Sequence, residues 1–160
     1  MRIDDAKRVL DYAADIRKKL AAIAEEQAGI EAELSCLRGI EYGSMPHGSG
    51  HSDSTADIAE RAEELGYMDR LRELEVQKTV LRGDYRVIVA QIWTLKTVYS
   101  QVITGLWLNG HSFEDVAHKI GYSVSHTKRI KSEALVRMAE ALEWMPQAEE
   151  ILSRAYNARE

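Results

Sequence analysis

Residues 107–135 read WLNGHSFEDVAHKIGYSVSHTKRIKSEAL. Asn109–Gly110 is a favourable stop for a helix running through Tyr99, Val102, Ile103, Leu106, Trp107 and Leu108. Ser112 is placed to cap a short second helix, with Asp115 three residues on in the approximate position of a capping box. Phe113, Val116, Ala117 and Ile120 give that helix a buried side. Gly121 permits a sharp turn, and Ser123 is a good N-cap for a third helix, VSHTKRIKSEALVRMAEAL, over 124–142. Ile130, Ala134, Met138 and Ala141 line one face of it, while Ser125, His126, Lys128, Arg129 and Ser132 fall on the opposite face.

Two helices joined by a short glycine-containing turn, the second polar and basic near its start, have the layout of a helix-turn-helix whose second helix enters the major groove of double-stranded DNA. The spacing therefore predicts a DNA-binding domain over 97–142. Arg129 and Lys128 can donate to guanine edges or to phosphates. Ser123, Ser125, His126, Thr127 and Ser132 can make shorter contacts near the helix start. Lys119, Lys131 and Arg137 lie farther round or along the helices and suit phosphate positioning, where point charge matters more than orientation.

N-terminal to this segment the periodicity becomes heptad-like. Val9, Ala13, Ile16, Leu20, Ile23, Gln27, Ile30, Leu34 and Leu37 recur in alternating steps of four and three, which keeps one stripe facing a partner helix. Gln27 interrupts the stripe, either fixing register or oligomeric state or occupying an exposed seam position. GIEYGSMPHGSGHSDS over 39–54 reads as a flexible loop, and its His47 and His51 as solvated side chains. Ser52 to Thr55 offer N-caps for a second long helix with a seam through Leu71, Leu74, Leu81, Tyr85, Ile88, Ile92 and Leu95. The expected organisation is a heptad helix over 1–38, the loop over 39–54, a long helix over 55–96, the DNA-binding domain over 97–142 and a short helix over 143–160. The two long helices would form an antiparallel, coiled-coil-like hairpin. Periodicity fits their pairing within one chain, between chains or in a bundle, each of which buries the same stripe.

Composition agrees with an all-α chain: of 160 residues only Pro46 and Pro146 are prolines, and runs of β-branched and aromatic residues are absent. A single cysteine, Cys36, rules out an intrachain disulfide and a multi-cysteine metal site within one chain. No run of apolar residues is long enough to span a membrane and no signal peptide is visible, so a cytoplasmic protein is expected. The net charge of −5 would discourage a nucleic-acid partner if it were uniform. It is not: residues 86–138 carry 7 Lys and Arg against 3 Asp and Glu, whereas residues 1–85 carry 12 against 18. Cations concentrate where phosphate would lie.

His111, His118 and His126 lack the i, i+4 spacing of helical metal ligands, so no metal and no other cofactor is expected. No nucleophile elbow, phosphate loop or paired carboxylates accompany the remaining polar residues, and the chain is read as a non-enzyme. Trp93, Trp107 and Trp144 sit among aliphatic residues and are read as core or interface.

The segment WLNGHSFEDVAHKIGYSVSHTKRIKSEAL resembles region 4 of bacterial sigma factors. Two heptad helices flanking a loop that contains MPHGSGHSDSTA, followed at once by this motif, resemble phage and prophage regulators of the RinA and ArpU type. The resemblance implies an activator of late or packaging genes in the cytoplasm of a bacterial host, with RNA polymerase as a further partner. The heptad helices would make it a homo-oligomer. The alternatives are a small-terminase-like DNA-packaging factor and a coiled-coil adaptor that binds no DNA.

Overall fold

The computed structural model describes residues 1–39 and 54–158, and the described residues are helical with no strand among them. The elements are α1 (Ile3–Gly39), α2 (Ser54–Thr94), α3 (Thr97–Ile103), a π-helical turn (Thr104–Leu108), α4 (Phe113–Ile120), α5 (Val124–Glu143) and α6 (Ala148–Asn157). The all-α expectation holds. The predicted loop, with His47 and His51, lies outside the described residues, as does the side chain of Leu37.

The chain divides into two compact units, residues 20–80 and residues 1–19 with 81–160. In the first, Ile23, Ile30 and Leu34 of α1 and Leu74 of α2 are buried. Gln27 is half-buried and joined to α2: its Nε2 donates to Glu75 Oε2 at 3.0 Å, and Lys78 Nζ donates to its Oε1 at 3.1 Å. The polar interruption in the heptad stripe thus meets matching polar partners. Arg70 Nε donates to Glu26 Oε1 at 2.7 Å. The Tyr67 hydroxyl donates to Glu63 Oε1 at 3.5 Å, and the nearby Glu33 carboxylate, with Glu63, pushes its pKa up to about 12.

The second unit holds the larger core. Val9, Ala13 and Ile16 of α1, Ile88 and Ile92 of α2, and Met138 and Leu142 of α5 are almost wholly buried. Each Val, Ile, Leu or Met among them contributes about 1.5–3 kcal/mol on leaving water. After Pro146, α6 buries Ala148, Ile151 and Ala155. Two carboxylates are buried in this unit. Asp5 accepts from the Tyr156 hydroxyl at 3.0 Å and from the Arg2 backbone N–H at 3.2 Å. Burial alone would raise its pKa; those bonds and the Arg2 charge outweigh burial and hold it below the usual carboxylate range. Asp84 accepts from the Tyr12 hydroxyl at 2.8 Å and from Arg154 Nε and a terminal guanidinium nitrogen, each at 2.8 Å.

One helix expected through Leu108 is instead α3 followed by a widened π turn. The Asn109 N–H donates five residues back to Thr104 O at 2.9 Å, and Arg17 of α1 donates to Leu108 O at 2.8 Å, satisfying a carbonyl at the turn's end. Gly105 in this turn is buried, and a Cβ there would stand 2.7 Å from Val116 Cγ2. The glycine lets α4 seat closely on the turn. Gly105→Ala is expected to cost about 1–3 kcal/mol, because the buried, β-branched Val116 cannot swing aside. Urea unfolding checks this, and an unchanged midpoint would mean that α4 does not rest on the turn.

Candidate nucleic-acid interface

Val102 of α3, Val116 of α4 and Ile130 of α5 meet in one buried cluster, with Val98, Tyr99, Leu106 and Ile120 packed around it. Backbone chemistry fixes the ends of α4. The Asp115 N–H donates to Ser112 Oγ at 3.1 Å and the Ser112 N–H to Asp115 Oδ2 at 3.3 Å, a reciprocal capping box. Hydrogen bonds from the Ser112 hydroxyl and backbone N–H hold the Asp115 carboxyl below its usual range. At the other end Gly121 is left-handed (φ 76°, ψ 27°). Tyr122 N–H reaches Ala117 O at 3.0 Å and Gly121 N–H reaches His118 O at 3.4 Å, so a Schellman closure ends the helix. Two residues later α5 begins, with Ser123 Oγ accepting from the His126 N–H at 3.2 Å.

The turn and its caps aim α5. Thr127, Ile130, Ala134, Leu135, Met138 and Leu142 are buried on one side. Ser125, Lys128, Arg129 and Ser132 are exposed on the other, along its first two turns. Arg129 has no hydrogen-bond or ion-pair partner among the described residues. Ser132 Oγ donates to Lys128 O at 3.3 Å, which occupies its proton but leaves the oxygen outward. Lys119, near the end of α4, is exposed as well. His126 stacks on Tyr122, with ring centroids 4.8 Å apart, and so leans back over the turn.

Comparison with protein-family models, curated proteins and solved structures finds no match for this chain.

One contact reading changes here, and others are narrowed. Thr127 was expected among the contact residues, yet it is 0% exposed and its Oγ1 donates to Ser123 O at 3.0 Å, so it packs the turn and reaches no ligand. Trp93 and Trp144 were expected in the core or an interface; at 73% and 88% exposure they are not core, which leaves the interface alternative. Arg137, exposed and expected at phosphate, pairs with Glu140 at 2.8 Å, two turns beyond Arg129. Reasoning from sequence also overlooked the aromatic seats of two lysines. Lys128 Nζ lies 5.7 Å from the Phe113 ring centroid, and Lys131 Nζ lies 5.6 Å from Phe113 and 5.7 Å from Trp107. The i, i+3 spacing of the lysines on α5 was a visible signal; the rings opposite them were not.

Among the described residues no group of three His, Cys, Asp or Glu could share a metal ion, and no helix is long and apolar enough to cross a membrane.

Proposed function

We propose that this chain is a sequence-specific transcription regulator that reads double-stranded DNA through a helix-turn-helix made by α4 and α5. The observation that carries this reading is the free face of α5: Ser125, Lys128, Arg129 and Ser132 stand exposed on its first two turns, opposite a buried apolar face. A helix seated in the major groove presents its N-terminal residues to base edges, which is where these side chains lie. Lys119 and Lys131 serve as phosphate contacts, Ser123 and His126 flank the turn, and Thr127 drops out of the contact set. The positive charge is local to residues 86–138, with 7 Lys and Arg against 3 Asp and Glu, so the net acidity of the chain does not oppose phosphate contact there.

In the same reading α1 and α2 form an antiparallel, coiled-coil-like hairpin that carries homo-oligomerisation. Leu65 and Val76 of α2, 60% and 65% exposed, support a further partner for that hairpin. The resemblance to region 4 of sigma factors and to RinA- and ArpU-type regulators supports a phage or prophage late-gene activator. Such an activator would work with RNA polymerase in the cytoplasm of a bacterial host. Its role is binding, with no catalytic step.

The test is binding of the purified protein to DNA flanking its own gene and to scrambled DNA over a salt series. Selective binding is expected at least about a thousandfold tighter than to scrambled DNA, with affinity falling steeply as salt rises. Equal or absent binding to both would move the assignment to the packaging factor or the adaptor.

A further inference from the structure

Lys131 differs from its neighbours on α5. It is half-buried, where Lys128 and Arg129 are exposed. Its ammonium lies within 6 Å of two ring centroids, Phe113 at 5.6 Å and Trp107 at 5.7 Å. The Trp107 indole is itself held, since Nε1–H donates to Asp11 Oδ1 of α1 at 2.9 Å. The ring comes from the π turn and its carboxylate anchor from α1, so two elements outside α4 and α5 together define where one cation of α5 stands.

The chemistry of this seat matters. A carboxylate partner would fix a lysine and also cancel its charge; an aromatic face attracts the ammonium and leaves its charge uncompensated. Among the described residues neither Lys128 nor Lys131 pairs with a carboxylate. A lysine already restrained by rings loses less rotamer freedom when it meets a phosphate than a free one does. Asp11 at the indole N–H both orients the ring and enriches the negative character of its face.

We propose that Trp107 and Asp11 are positioning residues that seat Lys131, with its charge intact, for contact with a DNA phosphate. This rests on the DNA-reading proposal and adds the means by which α1 and the π turn sharpen it. Trp107 touches no DNA; it acts through Lys131.

The experiment measures affinity for the preferred DNA across a salt series with the full-length protein. Lys131→Ala is expected to reduce the slope of log K against log salt by about 0.9, the contribution of one phosphate contact. Between about 50 and 200 mM salt the variant then loses about 3.5-fold less affinity than the native protein. Trp107→Leu and Asp11→Ala are expected to move the slope the same way. Trp107→Phe, which keeps a ring face, should retain most of the native slope. Lys131→Ala should change the slope less in the Trp107→Leu background than in the native protein, with the Phe113 ring accounting for what remains.

A purely structural role for Trp107 would lower the folded fraction at every salt concentration and leave the slope unchanged, so it separates from seating. The Lys131 side-chain methylene protons give a readout without DNA: ring currents from Trp107 and Phe113 should shift them upfield in the native protein, and by less in Trp107→Leu, where only Phe113 remains. Native protein with salt-sensitive, selective binding but an unaltered slope in Lys131→Ala overturns the seating while the DNA reading stands. Absence of selective binding by the native protein overturns the DNA reading itself.

Discussion

Arg129→Ala is expected to weaken binding to the preferred DNA by roughly 5- to 150-fold, equivalent to about 1–3 kcal/mol, and to leave thermal unfolding unchanged. The stability half follows from exposure and the lack of any partner among the described residues, which leave the truncation nothing to break in the folded protein. The binding half follows from position. Arg129 lies one turn after Ser125, within the exposed stripe, and its planar guanidinium can donate two parallel bonds to one guanine. Base reading makes a sharper demand than affinity alone. The loss on preferred DNA should exceed the loss on scrambled DNA, and Arg129→Lys should not restore selectivity, because an ammonium lacks the fork. Equal losses on both DNAs, with a shallower salt dependence, would convert Arg129 into a phosphate contact. No loss on either would remove α5 from the groove.

How much of this was legible beforehand depends on how local the signal is. Caps are local: Ser112, Gly121 and Ser123 each act on backbone within five residues, so their chemistry could be read from spacing and is found in place. Heptad seams are nearly as local, because period alone nominates Val9, Ala13, Ile16, Ile23 and Ile88, all of them buried. Orientation within a turn is harder. Thr127 belongs by residue type to the polar set of α5, yet a shift of two positions from Ser125 carries it round the helix into the core. The close seating of α4 on the π turn was hidden because the approach behind it, Val116 against Gly105, crosses 11 residues of sequence and two elements. The lysine seats were hidden for the same reason, and Asp11 stands 96 residues from the indole it holds. Trp144, the C-cap of α5, continues the exposed face of Glu133, Arg137 and Glu140, so its exposure follows from the helical period once that face is known.

Asp84 is the most consequential residue that the sequence concealed. It sits beside the seam position Tyr85 in an otherwise charged stretch, and a lone Asp on a long polar helix reads as solvated. Its acceptors instead serve Tyr12 and Arg154, 72 and 70 residues away, and it is 5% exposed. Removing it strands two donors at once: a buried tyrosine hydroxyl and a guanidinium that is itself only 36% exposed. The paired carboxylate raises the Arg154 pKa, while burial first and then the hydrogen bond to Asp84 raise that of Tyr12. Tyr12 is therefore held as a neutral phenol and Arg154 as a guanidinium cation. Asp84→Ala is expected to destabilise the protein by about 3 kcal/mol, lowering the midpoint of thermal unfolding by roughly 10 °C. Asp84→Asn keeps an acceptor for Tyr12 but turns an amide donor toward Arg154, and should fall between the native protein and the alanine variant. Replacing the charges together, as Asp84→Leu with Arg154→Met, removes both the stranded cation and its partner. The double variant should recover much of the loss, leaving the Tyr12 hydroxyl as the remaining cost. Equal stability of Asp84→Ala and the native protein would mean that water enters and satisfies Arg154 and Tyr12 freely. A double variant no better than the single one would show that Asp84 acts through Tyr12 alone.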